Sequence, residues 1–512
     1  MPFLYILLSS LVALDLTIFL YKLSLAPRSL PPSPMSLPFI GHLLSLPSRD
    51  EHAGFLEMSQ RLGSSIFSLR IFSTSVIVLN SLEDVVNLLD KRSSIYSDRI
   101  CPPMLAEPSL TNWGGFVGFL NYNSRWQKSR RLMHPWLHKK AVEELHSTEP
   151  LQTRLLIRRL ILSRGDLATS EGLEAEFYRA LSATLAHYVY GYTTDTSTKD
   201  PMISELKLAT NNFITAALPA NFLVNVFPSL ASVPGWLPGA GWKRTAKLWR
   251  EQQERAVDSA YQWTKMQIAQ GTNKPSIVSS LLSHASDLGL SAEETDSYVK
   301  QLAITLFVAG PDTIASTLLI FILAMLRYPE VQKRAQLEID AVVDLDRLPS
   351  MEDRANLEYV ERLVEEVLRW RPIAPLGVPH ATSEDDVYEG YHIPKGATII
   401  PNIWAITRDE EVYKSPENFD PDRYLDPRVP CPPTFGFGRR ACPGLHYAKA
   451  SLFLTISSIL ATFDITCVKD GEGSDIMPTL ESANQVPYHP KPFRVNLVPR
   501  SSSRVELACT GE

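Results

Sequence analysis

The stretch FGFGRRACPGLHYAKASLF, from Phe435 to Phe453, decides how the rest of the chain is read. A single cysteine, Cys442, sits in a loop with Gly436, Gly438 and Gly444, and an apolar helical pattern follows. The cysteine therefore falls at a helix start, where unpaired N–H groups lower a thiol's pKa and favour the thiolate. Gly436 and Gly438 permit tight turns and the close approach of a planar ligand. Arg440, two residues before the cysteine, is placed to pair with a carboxylate on such a ligand. The competing reading is a buried cysteine in a turn, since free cysteines commonly serve as core.

Upstream, residues 291–327 form the clearest helical run. Ser291 with Glu294 makes a capping box. Apolar residues then continue through LAITLFVAG and TLLIFILAML until Tyr328-Pro329 stops the run. A helix of that length measures about 55 Å. Being apolar nearly all round, it is expected to run through the middle of the protein. One helix crossing the whole body argues for one large domain. Residues 329–343 and 357–370 read as further helices, the first opened by Pro329. Strand signals are confined to 65–80 and 387–402. The fold class is mainly α with a small β region.

Hydrophobic residues make up 45% of the 512 and charged residues 21%, with a formal net charge of −6. A nucleic-acid binder would normally show a basic stripe, so no nucleic-acid partner is expected. The five cysteines include no C-x-x-C pair, which argues against a disulfide framework or a cysteine-rich zinc site. With no N-x-S/T sequon, this favours a body facing the cytosol. Residues 3–21, FLYILLSSLVALDLTIFLY, match the roughly 20 residues that span a bilayer. Asp15 is the flaw, costing about 2.5–3.5 kcal/mol at mid-membrane. A cleaved signal peptide is the rival, but no positive residue precedes the run and no A-x-A site follows. Lys22 and Arg28 after the run place the body on the cytosolic side. Five prolines between Pro27 and Pro38 then impose an extended, stiff chain, read as a spacer or a rigid hinge. Residues 501–512 read as a loose tail.

Three further groups carry chemistry. Glu366 and Arg369 lie three apart on one helical face and can pair, although such pairs are usually solvated. Trp126 and Arg130 stand in WQKSR, and His380 ends PLGVPH. AGPDTI, 309–314, sits midway along the long helix. Asp312 and Thr313 there could simply bond their own backbone and bend it. Pro311 cannot donate to the carbonyl of Phe307 and clashes with it, so the helix is expected to open at 307–311, with Gly310 pushed away from α geometry.

FGFGRRACPG matches, at every fixed position, the F-x-x-G-x-R-x-C-x-G loop of the cytochrome P-450 superfamily, which this chain resembles along nearly its whole length. The resemblance implies that Cys442 is the thiolate ligand to a haem iron, with Phe435 in the same loop. It implies haem contacts from Arg440, Trp126, Arg130 and His380, the arginines on propionates. Glu366 and Arg369 resemble the family's E-x-x-R. Arg423 in FDPDRYL stands as the third member of a buried network, better read as fixing geometry than as catalytic. Asp312 and Thr313 resemble the acid and alcohol that supply protons for O–O cleavage. Tyr424 and Ile314 depart from the usual Phe and Thr or Ser.

The implied organisation is a transmembrane anchor at 3–21, a hinge at 22–48, a haem-thiolate domain at 49–500 and a flexible tail at 501–512. The implied function is a microsomal-type fungal monooxygenase that inserts one atom of O2 into a lipophilic small molecule, a terpenoid or other secondary metabolite. Its cofactor is haem b. Electrons come from NADPH through a separate flavoprotein reductase in the same endoplasmic reticulum membrane, with Arg439 and Lys449 as docking charges. A haem-thiolate isomerase or dehydratase, and a non-catalytic haem-binding membrane protein, are the competing classes. Expected substrate-lining segments are 101–122, 205–240, 373–378 and 478–490.

Overall fold

The computed structural model describes residues 29–144, 149–162, 169–194, 200–284, 290–483 and 487–510. The segment read as a membrane anchor, 3–21, lies outside them. Two helices that meet end to end form the axis, Ala292–Ala309 and Pro311–Arg327. The first is opened by the expected capping box: the Glu294 N–H donates to Ser291 Oγ (3.2 Å) and the Ser291 N–H to Glu294 Oε2 (3.0 Å). From Val299 onward its side chains enter the core, and in the second helix Ile314 to Leu326 are all buried. This run is long and apolar enough to cross a membrane but is largely covered by protein. Its apolar character reflects core burial. Packed around it are the helices Ser170–Tyr190, Trp242–Gln270, Glu358–Trp370 and Leu445–Thr462.

Sheet structure is small and lies to one side. Strands β1 (Ile66–Ile71) and β2 (Thr74–Leu79) form an antiparallel hairpin. Two later strands, β3 (His380–Ala381) and β6 (Thr398–Pro401), complete a sheet of order β1-β2-β6-β3, with β6 parallel to β2. Between them β4 (Asp386–Tyr388) and β5 (Tyr391–Ile393) turn through Glu389 and Gly390, both at positive φ (50° and 80°). Two positive φ values match the right-handed twist of paired strands. A third pair joins β7 (Phe463–Thr466) to β8 (Asn496–Pro499). The described part of the proline-rich segment is tied to β1. Pro32 O accepts from the Ser68 N–H (2.8 Å) and Pro31 O from its hydroxyl (2.7 Å).

One expectation is corrected at the end of the chain. Instead of a loose tail, Ser502–Thr510 is helical. Arg504 is buried, donates to Ala461 O (2.7 Å) and lies 3.2 Å from Asp340. The anchor is a tertiary contact, which residues 501–512 alone do not reveal.

Candidate active site

Glycine geometry builds the cysteine loop. Gly436 and Gly438 have φ of +78° and +51°, and a Cβ on Gly438 would stand 2.3 Å from Leu89 O, so only glycine fits. A 3-10 turn at Gly438–Arg440 follows, and the Cys442 N–H donates to Phe435 O (2.7 Å). Gly444 then caps the helix Leu445–Thr462. Cys442 has accessible surface although protein surrounds its thiol on all sides, so Sγ faces interior space. Burial raises the thiol pKa, outweighing the Gly444 N–H and the Arg130 charge that lower it. This reverses the expectation from the helix start: desolvation of the anion wins over the helix terminus. A cation at Sγ would reverse the balance, because a metal-bound thiol is deprotonated outright.

Beside the loop four basic groups converge. Arg440 is buried, donating from Nε to Ser97 O (2.6 Å) and from Nη2 to Leu120 O (2.5 Å). Arg130 donates to Ala441 O (3.0 Å). Both guanidiniums lie over the Trp126 ring, at 4.6 Å and 5.7 Å from its centroid. The Asn123 side chain accepts from the Trp126 N–H (3.0 Å) and starts the helix Ser124–Leu137 that carries Trp126 and Arg130. His380, at the start of β3, donates from Nδ1 to Tyr96 O (2.7 Å). Burial, with Arg99 and Arg440 nearby, holds its pKa well below the ordinary value, so it is neutral.

Arg99 is the member that sequence reading missed. It donates to Val378 O and to Pro379 O (2.6 Å), its Nε has no partner, and burial beside Arg440 pushes it down to about 9. Nothing in the spacing of SDRIC marks it; only the bridge of Asp98 to Ala381 brings it here. Among the described residues no carboxylate forms an ion pair with Arg99, Arg130 or Arg440. Buried like charges without anions are unfavourable, and the cluster is complementary to a ligand bearing carboxylates. Together with a thiol facing interior space, these residues fit a haem with its propionates.

Glu366, Arg369 and Arg423 meet in full burial, not on a solvated face. Glu366 accepts twice from Arg369 (2.8 Å each), twice from Arg423 Nε (3.1 and 3.0 Å), and from the Asp420 N–H (2.8 Å). Remaining guanidinium donors go to carbonyls of Thr407, Pro416, Asn418 and Lys414. The two cations therefore share one carboxylate and leave little unsatisfied. The Tyr424 hydroxyl reaches Glu365 O at 3.4 Å.

The long helix breaks where Pro311 requires it, with Gly310 at the junction. Gly310 itself keeps α geometry (φ −88°, ψ −59°), contrary to expectation. Part of the clash before proline involves Cβ, which glycine lacks. The Thr313 hydroxyl donates to the carbonyls of Ala309 (2.9 Å) and Gly310 (3.1 Å) beside the break. Burial raises the Asp312 pKa, with His489 lowering it and Glu174 raising it further. Lys449, read as a docking charge, is paired with Glu365, whereas Arg439 is exposed over the Tyr122 ring.

Two of the expected lining segments meet in an aromatic cluster. Phe213 lies 4.5 Å from Phe116, 4.9 Å from Trp113 and 5.9 Å from Phe119. The Val117 N–H donates to Thr305 Oγ1 (3.2 Å), fixing the cluster to the axis about 12 Å before Thr313. The other two meet where the Tyr488 N–H donates to Ile373 O (2.7 Å).

Comparison with known proteins places the chain in one family. The family model described as Cytochrome P450 matches residues 31–497. Cytochrome P450 monooxygenase claR of Ampulloclitocybe clavipes is 36% identical over 487 residues, covering 94% of this chain and 88% of the relative. Tryptamine 4-monooxygenase of Psilocybe cyanescens is 35% identical over 483 residues, covering 92% and 93%. A zebra fish cytochrome P450 solved with progesterone superposes with a TM-score of 0.73 at 24% identity, covering 88% of this chain and 99% of that one. The last likeness concerns the fold alone.

Proposed function

Because this chain belongs to the cytochrome P450 family and is a cytochrome P450 monooxygenase, we propose that it holds haem b through Cys442 and oxidises a lipophilic small molecule, a terpenoid or similar secondary metabolite. Haem, when bound, supplies the activation of O2 and the insertion of one oxygen atom. Cys442 is the iron ligand, presented by the Gly436–Gly438 turns. Arg440, Arg130 and Arg99 bind the propionates, and neutral His380, its Nδ1–H held by Tyr96 O, lines the same edge. Trp126 presents its ring face to two guanidiniums and limits their motion. Glu366, Arg369 and Arg423 set the position of the loop beneath and touch no reactant.

At the break in the long helix, Thr313 would hold a proton at its hydroxyl, steadied by the Ala309 and Gly310 carbonyls, and Asp312 would pass protons to it. Trp113, Phe116, Phe119 and Phe213 orient an apolar substrate and exclude water. The aromatic cluster supports the lipophilic class. Identity near 35% to relatives that include one named for tryptamine does not carry a particular substrate. Electrons reach P450 enzymes of this kind from a partner reductase, here one that uses NADPH. The apolar run at 3–21, followed by Lys22 and Arg28, supports a single-pass anchor in the endoplasmic reticulum with the body in the cytosol.

The observation that carries the reading is the convergence of buried Arg99 and Arg440 with half-buried Arg130, none ion-paired to a carboxylate among the described residues, beside a thiol that faces interior space. The test is turnover of lipophilic metabolites with reductase, NADPH and isotopically labelled O2. One labelled oxygen per product supports a monooxygenase. Product formed without O2 or NADPH would replace it with the isomerase or dehydratase reading.

A further inference from the structure

Behind Asp312 lies a group of residues that the reading above does not use. Glu174 on the helix Ser170–Tyr190, Asp312, and His489 on the loop before β8 each offer a polar atom, and these atoms lie within 4.8 Å of one another. His489 Nε2 is 3.1 Å from Glu174 Oε1 and 3.0 Å from Ser316 Oγ, while Nδ1 donates to Pro487 O (2.7 Å). Ser316 lies four residues beyond Asp312 on the same helical face and donates to its carbonyl (2.8 Å). The Glu174 side chain is 32% exposed and that of His489 12%.

We propose that Glu174, His489 and Asp312 form the proton entry of this enzyme, with His489 as the relay between solvent and the Asp312–Thr313 pair. This rests on the monooxygenase reading, which consumes protons at Thr313. In the step, the Nε2–H bond of the imidazolium breaks and an O–H bond forms on the Asp312 carboxylate, one water spanning the gap. Glu174, in contact with solvent, guides a proton back to Nε2. One proton moves inward and no electron moves.

The electrostatics suit this task. Burial alone would lower the His489 pKa, but the hydrogen bond and charge of Glu174 raise it above the usual 6.5, which favours the protonated ring. Burial raises Asp312, so its carboxylate takes a proton more readily. Tyr178 and Lys207 also face Asp312 from neighbouring helices, but Lys207 Nζ stands 4.3 Å from the centre of the Tyr178 ring. A divalent cation on the same three side chains is the competing use. It must displace the proton from a ring whose two nitrogens already have partners.

Two measurements test the relay. In the full-length protein with labelled histidine, the His489 signal, assigned through His489→Gln, is titrated by NMR with and without Glu174→Gln. The relay requires a pKa above 6.5 in the wild type that falls in the variant. Enzyme with reductase and NADPH is then assayed for hydrogen peroxide released per NADPH. His489→Gln and Glu174→Gln should raise that fraction severalfold and flatten its pH profile, with the carbon monoxide spectrum unchanged. Glu171→Gln, on the exposed face of the same helix, serves as control. A normal spectrum with unchanged peroxide release and pH profile in both variants overturns the relay alone. Saturable binding of Mn2+ or Zn2+ that depends on His489 overturns it in favour of a metal site. A wild type without the thiolate spectrum overturns the monooxygenase reading instead.

Discussion

Arg440 stands 4.6 Å above the ring of Trp126 although the two lie in opposite halves of the chain. One comes from the cysteine loop and the other from the helix Ser124–Leu137, and the stack locks these elements together beside Cys442. Arg130, on the same helix as Trp126, completes it by donating to Ala441 O in the loop.

Removing that ring should loosen the loop. Trp126→Ala is expected to cost about 3–5 kcal/mol and to lower haem retention. Trp126→Phe keeps a face for the guanidiniums and should retain more of both. Denaturant unfolding and haem content per chain check this; equal losses in the two variants would count against the stack.

Glu366→Gln leaves two buried guanidiniums without their shared anion. About 3–5 kcal/mol of stability should be lost, and the protein should emerge poor in haem. A near-neutral change in the unfolding midpoint would mean that the network is not the anchor described.

Acid should weaken the fold through His52. Burial, with Arg408 and Arg371 nearby, lowers its pKa from 6.5 to about 4. A depressed folded-state pKa contributes stability that is present above the unfolded value and lost as pH falls from 6.5 through 4. The loss attributable to this residue is on the order of 3 kcal/mol. His52→Phe keeps a ring against Trp404, whose centroid is 4.5 Å away, and should flatten the stability profile over that window. Parallel wild-type and variant profiles would refute the assignment.

Thr313→Val removes a hydroxyl bonded to two carbonyls at the helix break. Stability should change by less than about 1 kcal/mol, whereas peroxide release per NADPH should rise and the solvent isotope effect should change. A change in stability alone would reduce Thr313 to a local helix bond.

Much of this arrangement was legible because it is written locally. The capping box at Ser291 and the break at Pro311 follow from short-range backbone chemistry, and the glycine turns before Cys442 need no tertiary knowledge. Other features depend on contacts between distant segments. Arg99 reaches the site through the pairing of Asp98 with Ala381. His489 acquires Glu174 and Ser316 only when its loop packs against two helices. The raised thiol pKa of Cys442 has the same origin, since the helix start is visible in sequence and the degree of burial is not. Glu366 and Arg369 alone resemble a surface pair; Arg423 and the carbonyls around it make them a core network.

The central claim is that Cys442 is the thiolate ligand of a haem, and one spectrum tests it most directly. The full-length protein is loaded with haem, reduced and exposed to carbon monoxide, and its Soret band is compared with that of Cys442→Ala. A strongly red-shifted band in the wild type, lost in the variant, is the predicted result. A band at the ordinary histidine-ligated position, unchanged by the substitution, would contradict the claim.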